Sequence, residues 1–356
     1  MQKIGGNTVK FEEIYKNETI LTGKKDNLII ARVSEVQREL FKVLCRYGET
    51  NARLKGAFYK DKMNKEYPVV GDYVLLQYNE NGNSLIEQIC ERKSSFSRAD
   101  FSGHAAGYVK TVKEQVIAAN FDYVFILSSL NHDFNLNRIT RYISVALQSG
   151  GKPIVILTKA DECDNPDAYI EQVKSISEKA DVLAISAKTG YGMKQLNVYI
   201  QAGKTIVFLG SSGVGKSTLV NTIAGEEIMV VSEIRQNDSK GRHTTTHRQL
   251  IELASGVIVI DTPGIRELGM WDAENGINDT FSDVIQLFAK CKYRNCSHSK
   301  EPGCAVNQAI EDGILSIDRW KTYCQLSNEN EWGKNKSVYT KKEKLENKIK
   351  GGKNKK

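Results

Sequence analysis

One octapeptide, Gly210-Ser211-Ser212-Gly213-Val214-Gly215-Lys216-Ser217, fits the G-x-x-x-x-G-K-[ST] pattern of a phosphate-cradling loop. What stands on either side constrains the chain more than the loop does. Downstream come Thr244-Thr245-Thr246 and then Asp261-Thr262-Pro263-Gly264. Upstream come Thr158-Lys159-Ala160-Asp161 and Ser186-Ala187-Lys188. These read as a threonine switch, a turn that senses a γ-phosphate, and two guanine-reading segments. In the usual order the guanine-reading segments come last; here they come first. A parallel sheet can carry its motifs this way only if its natural ends are joined and a new break is opened elsewhere. Those ends lie close together at the surface, so the joining is tolerated. The join falls at residues 201–204 and the break after Gly264. Whatever follows Gly264 is therefore wired to the segment that moves when the γ-phosphate leaves.

Each motif has a chemical reason. A β-branched run at 205–209 precedes the phosphate loop, and a helical pattern with Leu219, Val220 and Ile223 follows it. From Gly210 to Thr218 the backbone N–H groups can turn inward on phosphate oxygens at a helix N-terminus. Lys216 reaches the β- and γ-phosphates, and Ser217 ligates Mg²⁺. Asp261 ends an apolar run at 257–260, where its carboxylate can bind Mg²⁺ through water. The Gly264 N–H is placed to sense the γ-phosphate. Asp161 can accept two hydrogen bonds, from guanine N1–H and the 2-amino group. Adenine lacks that donor pair, so GTP is expected over ATP. Lys159 lays its aliphatic stem over the base, and the Ala187 N–H, between Ser186 and Lys188, meets guanine O6.

The chain has 356 residues, enough for two or three domains with their own cores. The first ten residues are polar and no apolar leader follows, so no signal peptide is read. No apolar run approaches the roughly 18 residues that span a bilayer. A soluble, cytoplasmic protein is expected. The net charge of +7 is not a surface-wide property. Residues 333–356 hold ten Lys and two Glu, a net of +8, and leave the rest near neutral. Such a run has almost nothing apolar to bury and reads as disordered. It is either a solvated end or a tether for an anionic partner. Cys45, Cys90, Cys163 and Cys324 are isolated and read as reduced thiols.

Five short strand candidates, at 28–33, 41–46, 52–58, 69–78 and 84–90, are separated by turn signals. They suggest a small all-β barrel, with an OB-fold leading and an SH3-like barrel as the rival. A Gly-bearing connector at 99–113 follows. Beyond it, apolar runs at 124–127, 153–157, 182–185, 205–209 and 257–260 alternate with helical stretches such as 136–147 and 167–179. That alternation argues for a mostly parallel sheet with crossover helices. The chain then turns helical and Cys-rich to about residue 330. The expected division is an extension (1–27), an OB-fold (28–98), a linker (99–113), a permuted α/β GTPase domain (114–275), a helical zinc-binding domain (276–332) and a basic tail (333–356).

Cys291, Cys296, His298 and Cys304 form C-x4-C-x-H-x5-C. Four such ligands within 14 residues suit a closed tetrahedral zinc site and leave no open position for catalysis. The alternative is a group of reduced thiols beside a surface His. The local sequence is too polar to pack unaided, so a metal would hold it folded.

With these residues in view, the chain resembles the circularly permuted ribosome small subunit-dependent GTPase A (RsgA) family. The resemblance runs from about residue 28 to 330. Residues 241–246, Gly241-Arg242-His243-Thr244-Thr245-Thr246, look like that family's first switch. It implies an OB-fold, and a GTP hydrolase that acts late in assembly of the bacterial small ribosomal subunit. It also implies stimulation by the subunit, release on hydrolysis, and rRNA contacts from barrel and zinc module. Arg92, Lys93, Phe96 and Arg98 are the barrel's candidates for that contact; an ordinary strand end is the other reading of each. Thr158 stands where many GTPases have Asn and keeps one supporting hydrogen bond. Ile265 follows Gly264 where the water-orienting Gln often stands, so intrinsic hydrolysis should be slow. His243 is then the resemblance-based catalytic candidate, alongside Lys216 and Thr245; it could equally contact rRNA. Thr245 is the expected switch ligand of Mg²⁺, with Thr244 as runner-up. Two other functions compete: a nucleotide-locked RNA-binding factor with little catalysis, and an assembly GTPase for the large subunit. A monomer is expected.

Overall fold

The computed structural model describes residues 27–37, 39–56, 67–100, 113–131, 133–229, 249–261 and 273–332. His243, Thr244, Thr245, Gly264 and the Lys-rich residues 333–356 lie outside the described residues.

Strands β1 (Leu28–Gln37), β2 (Leu40–Cys45), β3 (Gly48–Leu54), β4 (Tyr73–Gln77) and β5 (Ser84–Ile89) close into a barrel. The order is β1-β2-β3-β5-β4, with β4 returning to β1. Only the β3–β5 pair is parallel. This is the OB-type arrangement, and the SH3-like reading falls. Alternate residues of β1, namely Ile29, Ala31 and Val33, pack inward with Phe41, Val43 and Leu76. The other face of β1 is also buried, because Leu28, Ile30 and Arg32 are covered as well. A strand buried on both faces reads as a continuous apolar run rather than an alternation. The expected strand at 69–78 starts only at Tyr73. Its first residues form a tight turn instead, with Gly71 at φ +93° and the Asp72 carboxylate accepting the Val69 N–H at 2.8 Å.

A hairpin of β6 (Ser95–Asp100) and β7 (Lys113–Ala119) leads into the central sheet. That sheet contains β8 (Tyr123–Ser129), β9 (Lys152–Thr158), β10 (Asp181–Ala184), β11 (Thr205–Gly210), β12 (Gln249–Glu252) and β13 (Ile258–Asp261). The order is β10-β9-β8-β11-β13-β12, parallel except for β12. β12 then pairs with β1 at Glu35 and Gln249, so barrel and central sheet are continuous. Helices α1 (Leu136–Gln148), α2 (Pro166–Lys174) and α3 (Lys216–Ala224) cover the sheet. α2 stops short of the expected residue 179. The Ile176 N–H donates to Val173 O at 3.0 Å, tightening the last turn, and the Ile176 carbonyl accepts from Arg319 at 3.0 Å.

The C-terminal region holds α4 (Glu274–Thr280), α5 (Ser282–Phe288), α6 (Ala305–Glu311) and a helix α7 through residues 317–332. One apolar core runs from Val70 near the barrel, through Val124 and Val207 of the sheet, to Phe281, Val306 and Leu326. A second core lies on the other face, around Phe125, Ile154, Ile206 and Leu219. Among the described residues no helix is long and apolar enough to cross a membrane.

Candidate nucleotide site and metal centre

The carboxyl ends of β8, β9, β11 and β13 converge on one edge, where open parallel sheets bind their ligands. Thr158 ends β9, Gly210 ends β11 and Asp261 ends β13. The permuted order therefore gives a conventional spatial arrangement.

The two loops expected to read guanine are bound to each other through backbone. The Ile185 N–H donates to Leu157 O at 2.9 Å, and the Ala160 N–H donates to Ile185 O at 3.0 Å. Lys159 takes the left-handed conformation, φ 57°, which turns the chain so that Asp161 follows in a short 3₁₀ turn. The Ser186 hydroxyl is hydrogen-bonded to the Asp161 carboxylate. That bond, with the charges of Lys188 and Lys159 nearby, holds its pKa below the usual carboxylate value. An ionised Asp161 is acceptor-only, as two guanine N–H donors require. Ser186 is itself fixed, because its Oγ accepts the Thr189 N–H at 3.1 Å. Lys188 stays exposed.

Thr158 does more than substitute for Asn. Its buried hydroxyl donates to the Val214 carbonyl at 2.7 Å, tying the guanine-reading loop to the phosphate loop. At the far side of that loop, Lys216 Nζ lies 2.7 Å from Asp261 Oδ1. Asp261 is almost fully buried, whereas Lys216 is about a third exposed, at 35%. Ser217 follows in the first turn of α3. Sequence reasoning missed a further contact, from the β8–α1 connection: Asp133 Oδ2 accepts from Ser211 Oγ at 2.6 Å. The available signal was position alone, just beyond the carboxyl end of a central strand.

The cysteine cluster assembles as expected. Ligand atoms of Cys291, Cys296, His298 and Cys304 all lie within 4.8 Å of one another, so the group could hold a metal ion. His298 presents Nδ1, 3.6 Å from the sulfurs of both Cys291 and Cys304. Its ring stacks on Phe288 at 4.3 Å and meets the edge of Trp320 at 5.8 Å. Glu301 shapes the loop by accepting from the Ser297 hydroxyl and from the N–H groups of Ser297, Ser299 and Lys300. Those bonds, the Ser297 hydroxyl first, push its pKa down to about 2.

The barrel's expected RNA residues need correction. Phe96 is buried and stacks on Phe121 at 4.7 Å, so it offers no face to a base. Arg92 grips the buried Asp72 carboxylate with two bonds, at 2.7 and 2.8 Å. Arg98 donates to Gln115 at 3.0 Å, while Lys93 is exposed. The surface instead presents Tyr47, 57% exposed, paired with Tyr78 at 4.5 Å and carrying the Arg46 guanidinium 5.1 Å above its ring.

A parallel sheet with a phosphate-loop sequence at one strand end and the Thr158–Asp161 segment placed before it in the chain fits a circularly permuted GTPase. The sequence model of the RsgA GTPase family matches residues 89–271. The small ribosomal subunit biogenesis GTPase RsgA 2 of Listeria monocytogenes is 41% identical over 298 residues, covering 84% of this chain and 82% of that protein. The small ribosomal subunit biogenesis GTPase RsgA of Methanosarcina acetivorans is 37% identical over 313 residues, 88% of this chain and 82% of its own. Among solved structures, YjeQ from Thermotoga maritima aligns with a TM-score of 0.62 at 24% identity, over 84% of this chain and 97% of that one. YloQ, a circularly permuted GTPase, aligns with a TM-score of 0.59 at 27% identity, over 86% and 96%. The chain belongs to the RsgA GTPase family.

Proposed function

We propose that this protein is a GTP hydrolase that helps assemble the small ribosomal subunit, is stimulated by that subunit and leaves it on hydrolysis. The carrying observation is the convergence of Asp161, the phosphate loop and Asp261 on one sheet edge in a member of this family. The relatives described as small ribosomal subunit biogenesis GTPases supply the partner.

In this reading Asp161 selects guanine, with Lys159, Ser186, Ala187 and Lys188 around the base. The backbone from Gly210 to Thr218 cradles the phosphates. Lys216 leaves Asp261 for the β- and γ-phosphates as nucleotide arrives. That exchange frees the Asp261 carboxylate, which with Ser217 and Thr245 offers the hard oxygen donors Mg²⁺ takes. Bound there, magnesium neutralises charge on the phosphate oxygens. The Gly264 N–H senses the γ-phosphate. Ile265 cannot orient water, so His243 is the proposed water-positioning residue, brought in by docking. We assign the Cys291, Cys296, His298 and Cys304 cluster to one structural Zn²⁺, on its three sulfurs, one imidazole nitrogen and lack of an open position. The Tyr47–Tyr78 pair with Arg46 suits stacking on rRNA bases beside a cation. The protein is proposed to work as a cytoplasmic monomer.

The test is GTP turnover by the purified protein, alone and with isolated small or large subunits, at one salt concentration. Strong stimulation by small subunits only is the expected result. Tight GTP-dependent binding without stimulation would make the nucleotide a conformational lock and remove His243 from catalysis.

A further inference from the structure

We infer that Asp133 is a positioning residue for the phosphate loop, and that Arg138 keeps its charge from opposing the nucleotide. The inference rests on the nucleotide-site reading above. The phosphate loop is gripped at two places. Its fifth residue, Val214, is held through its carbonyl by Thr158 at the end of β9. Its second residue, Ser211, is held through its hydroxyl by the Asp133 carboxylate at 2.6 Å. The two grips come from the end of β9 and from the connection that follows the adjacent strand β8.

Asp133 is itself fixed on several sides. Asn131 Oδ1 accepts the Asp133 N–H at 3.2 Å and the Ser129 hydroxyl at 2.8 Å. Arg138, in the first turn of α1, lies 2.9 Å from Asp133 Oδ2 and also donates to the Asp133 carbonyl. The Arg138 N–H is in turn accepted by the capping Asn135 side chain at 2.9 Å. Phe134, the next residue, meets the edge of Tyr169 on α2 at 4.8 Å. The carboxylate therefore has little freedom to leave Ser211.

Such a grip has a consequence for binding. A phosphate loop must aim several N–H groups at one point, and ordering it on arrival of nucleotide costs affinity. A loop already held in shape loses less. A carboxylate beside a phosphate site carries the opposite risk, because it repels the ligand. Arg138 cancels that charge while orienting the carboxylate. The pair thus gives a charge-assisted hydrogen bond to Ser211 without a net anion.

The two roles separate in a variant series on the full chain, read by release of fluorescent GDP in stopped flow at fixed salt. Binding by the wild-type protein is the control: if it holds no guanine nucleotide, the site reading fails before this one is tested. Asp133→Ala is expected to speed GDP release about tenfold. Asp133→Asn keeps an acceptor for Ser211 and should stay within about twofold of wild type. Arg138→Ala leaves the carboxylate uncompensated, so its loss should shrink as salt rises. Combining Arg138→Ala with Asp133→Asn should then recover much of the lost affinity. A purely structural role predicts otherwise: Asp133→Ala and Asp133→Asn alike in melting temperature and release, and no recovery in the double variant. That pattern would overturn the inference.

Discussion

The barrel and the C-terminal region both lean on the same central sheet, but they are attached by different physics. The barrel has its own closed core and joins mainly through backbone. β1 pairs with β12, the Ala119 N–H donates to Val70 O at 3.1 Å, and Gly71 lies against the Ala119 carbonyl. The buried Arg32 bridges the seam, donating to Gly71 O, to Asn120 O and to the Thr205 hydroxyl at the foot of β11. The C-terminal helices lack a core separate from the sheet's, because Phe281, Val306 and Leu326 belong to the cluster that includes Val124 and Val207. They join through side chains of α1. Ser144 donates to Thr280 at 2.9 Å, the Gly276 N–H donates to Gln148 at 3.0 Å, and Arg141 pairs with Glu329. A module with its own core can report on a partner as a rigid body. One without it is folded by what it leans on.

The largest expected effect tests that contrast directly. Stripping metal with a chelator should unfold residues 273–332 while barrel and sheet survive, since a structural zinc is worth about 10 kcal/mol or more. Loss of helical circular dichroism with retained GDP binding is the expected readout. An identical melting curve with and without chelator would return the cluster to reduced thiols and make the two modules equivalent.

Next in size is the barrel seam. A Cβ at Gly71 would stand 2.1 Å from the Ala119 carbonyl oxygen, at a φ of +93°. Gly71→Val should therefore cost about 4 kcal/mol, seen as a large fall in melting temperature. The C-terminal seam has its own glycine: a Cβ at Gly276 would stand 2.0 Å from the Ser144 carbonyl. Gly276→Val should loosen only the C-terminal helices to proteolysis. Equal protection of both regions in both variants would show that the seams are one cooperative unit. A smaller loss, about 2 kcal/mol, is expected for Arg32→Met, which fills the space but takes the guanidinium from the Asn120 carbonyl and the Thr205 hydroxyl, Gly71 O keeping the Asn120 side chain as donor.

The nucleotide site was legible because its chemistry is local in sequence. Gly210 to Ser217 makes a loop from neighbours, and Thr158 and Asp161 sit four residues apart or less at a strand end. The parallel sheet showed through its β-branched runs, and the Cys3His cluster through ligand spacing. What stayed hidden depends on residues far apart in the chain. Arg32 and Thr205 are separated by 173 positions, and Ser211 and Asp133 by 78. Phe96 looked like a stacking platform because its neighbours are basic; only the fold supplies the Phe121 ring that covers it. Just past the end of α2, Arg319, far downstream, contacts the Ile176 carbonyl, a partner no local pattern announces.

Arg319 carries the smallest of these effects and the one with a pH signature. Its guanidinium forks onto Asp283, with bonds of 2.7 Å to both oxygens, reaches the carbonyls of Ile176 and Thr280, and lies over the Phe281 ring at 4.7 Å. Partial burial works to raise the Asp283 pKa, but Arg319 and the Val284 N–H outweigh it and hold it below 3.8. A depressed carboxylate contributes stability that is complete above its unfolded value and is lost as pH falls through the folded one. Lysine keeps the charge but cannot fork. With Asp283 half exposed, Arg319→Lys should cost only about 1 kcal/mol at neutral pH after discounting for solvent. Melting followed from pH 6 downward should show the gap between wild type and variant closing only below the ordinary carboxylate range. A gap that stays constant to the acid end would assign the loss to the two carbonyl contacts. The C-terminal helices would then be fastened by guanidinium-to-carbonyl hydrogen bonds, as Arg32 fastens the barrel seam.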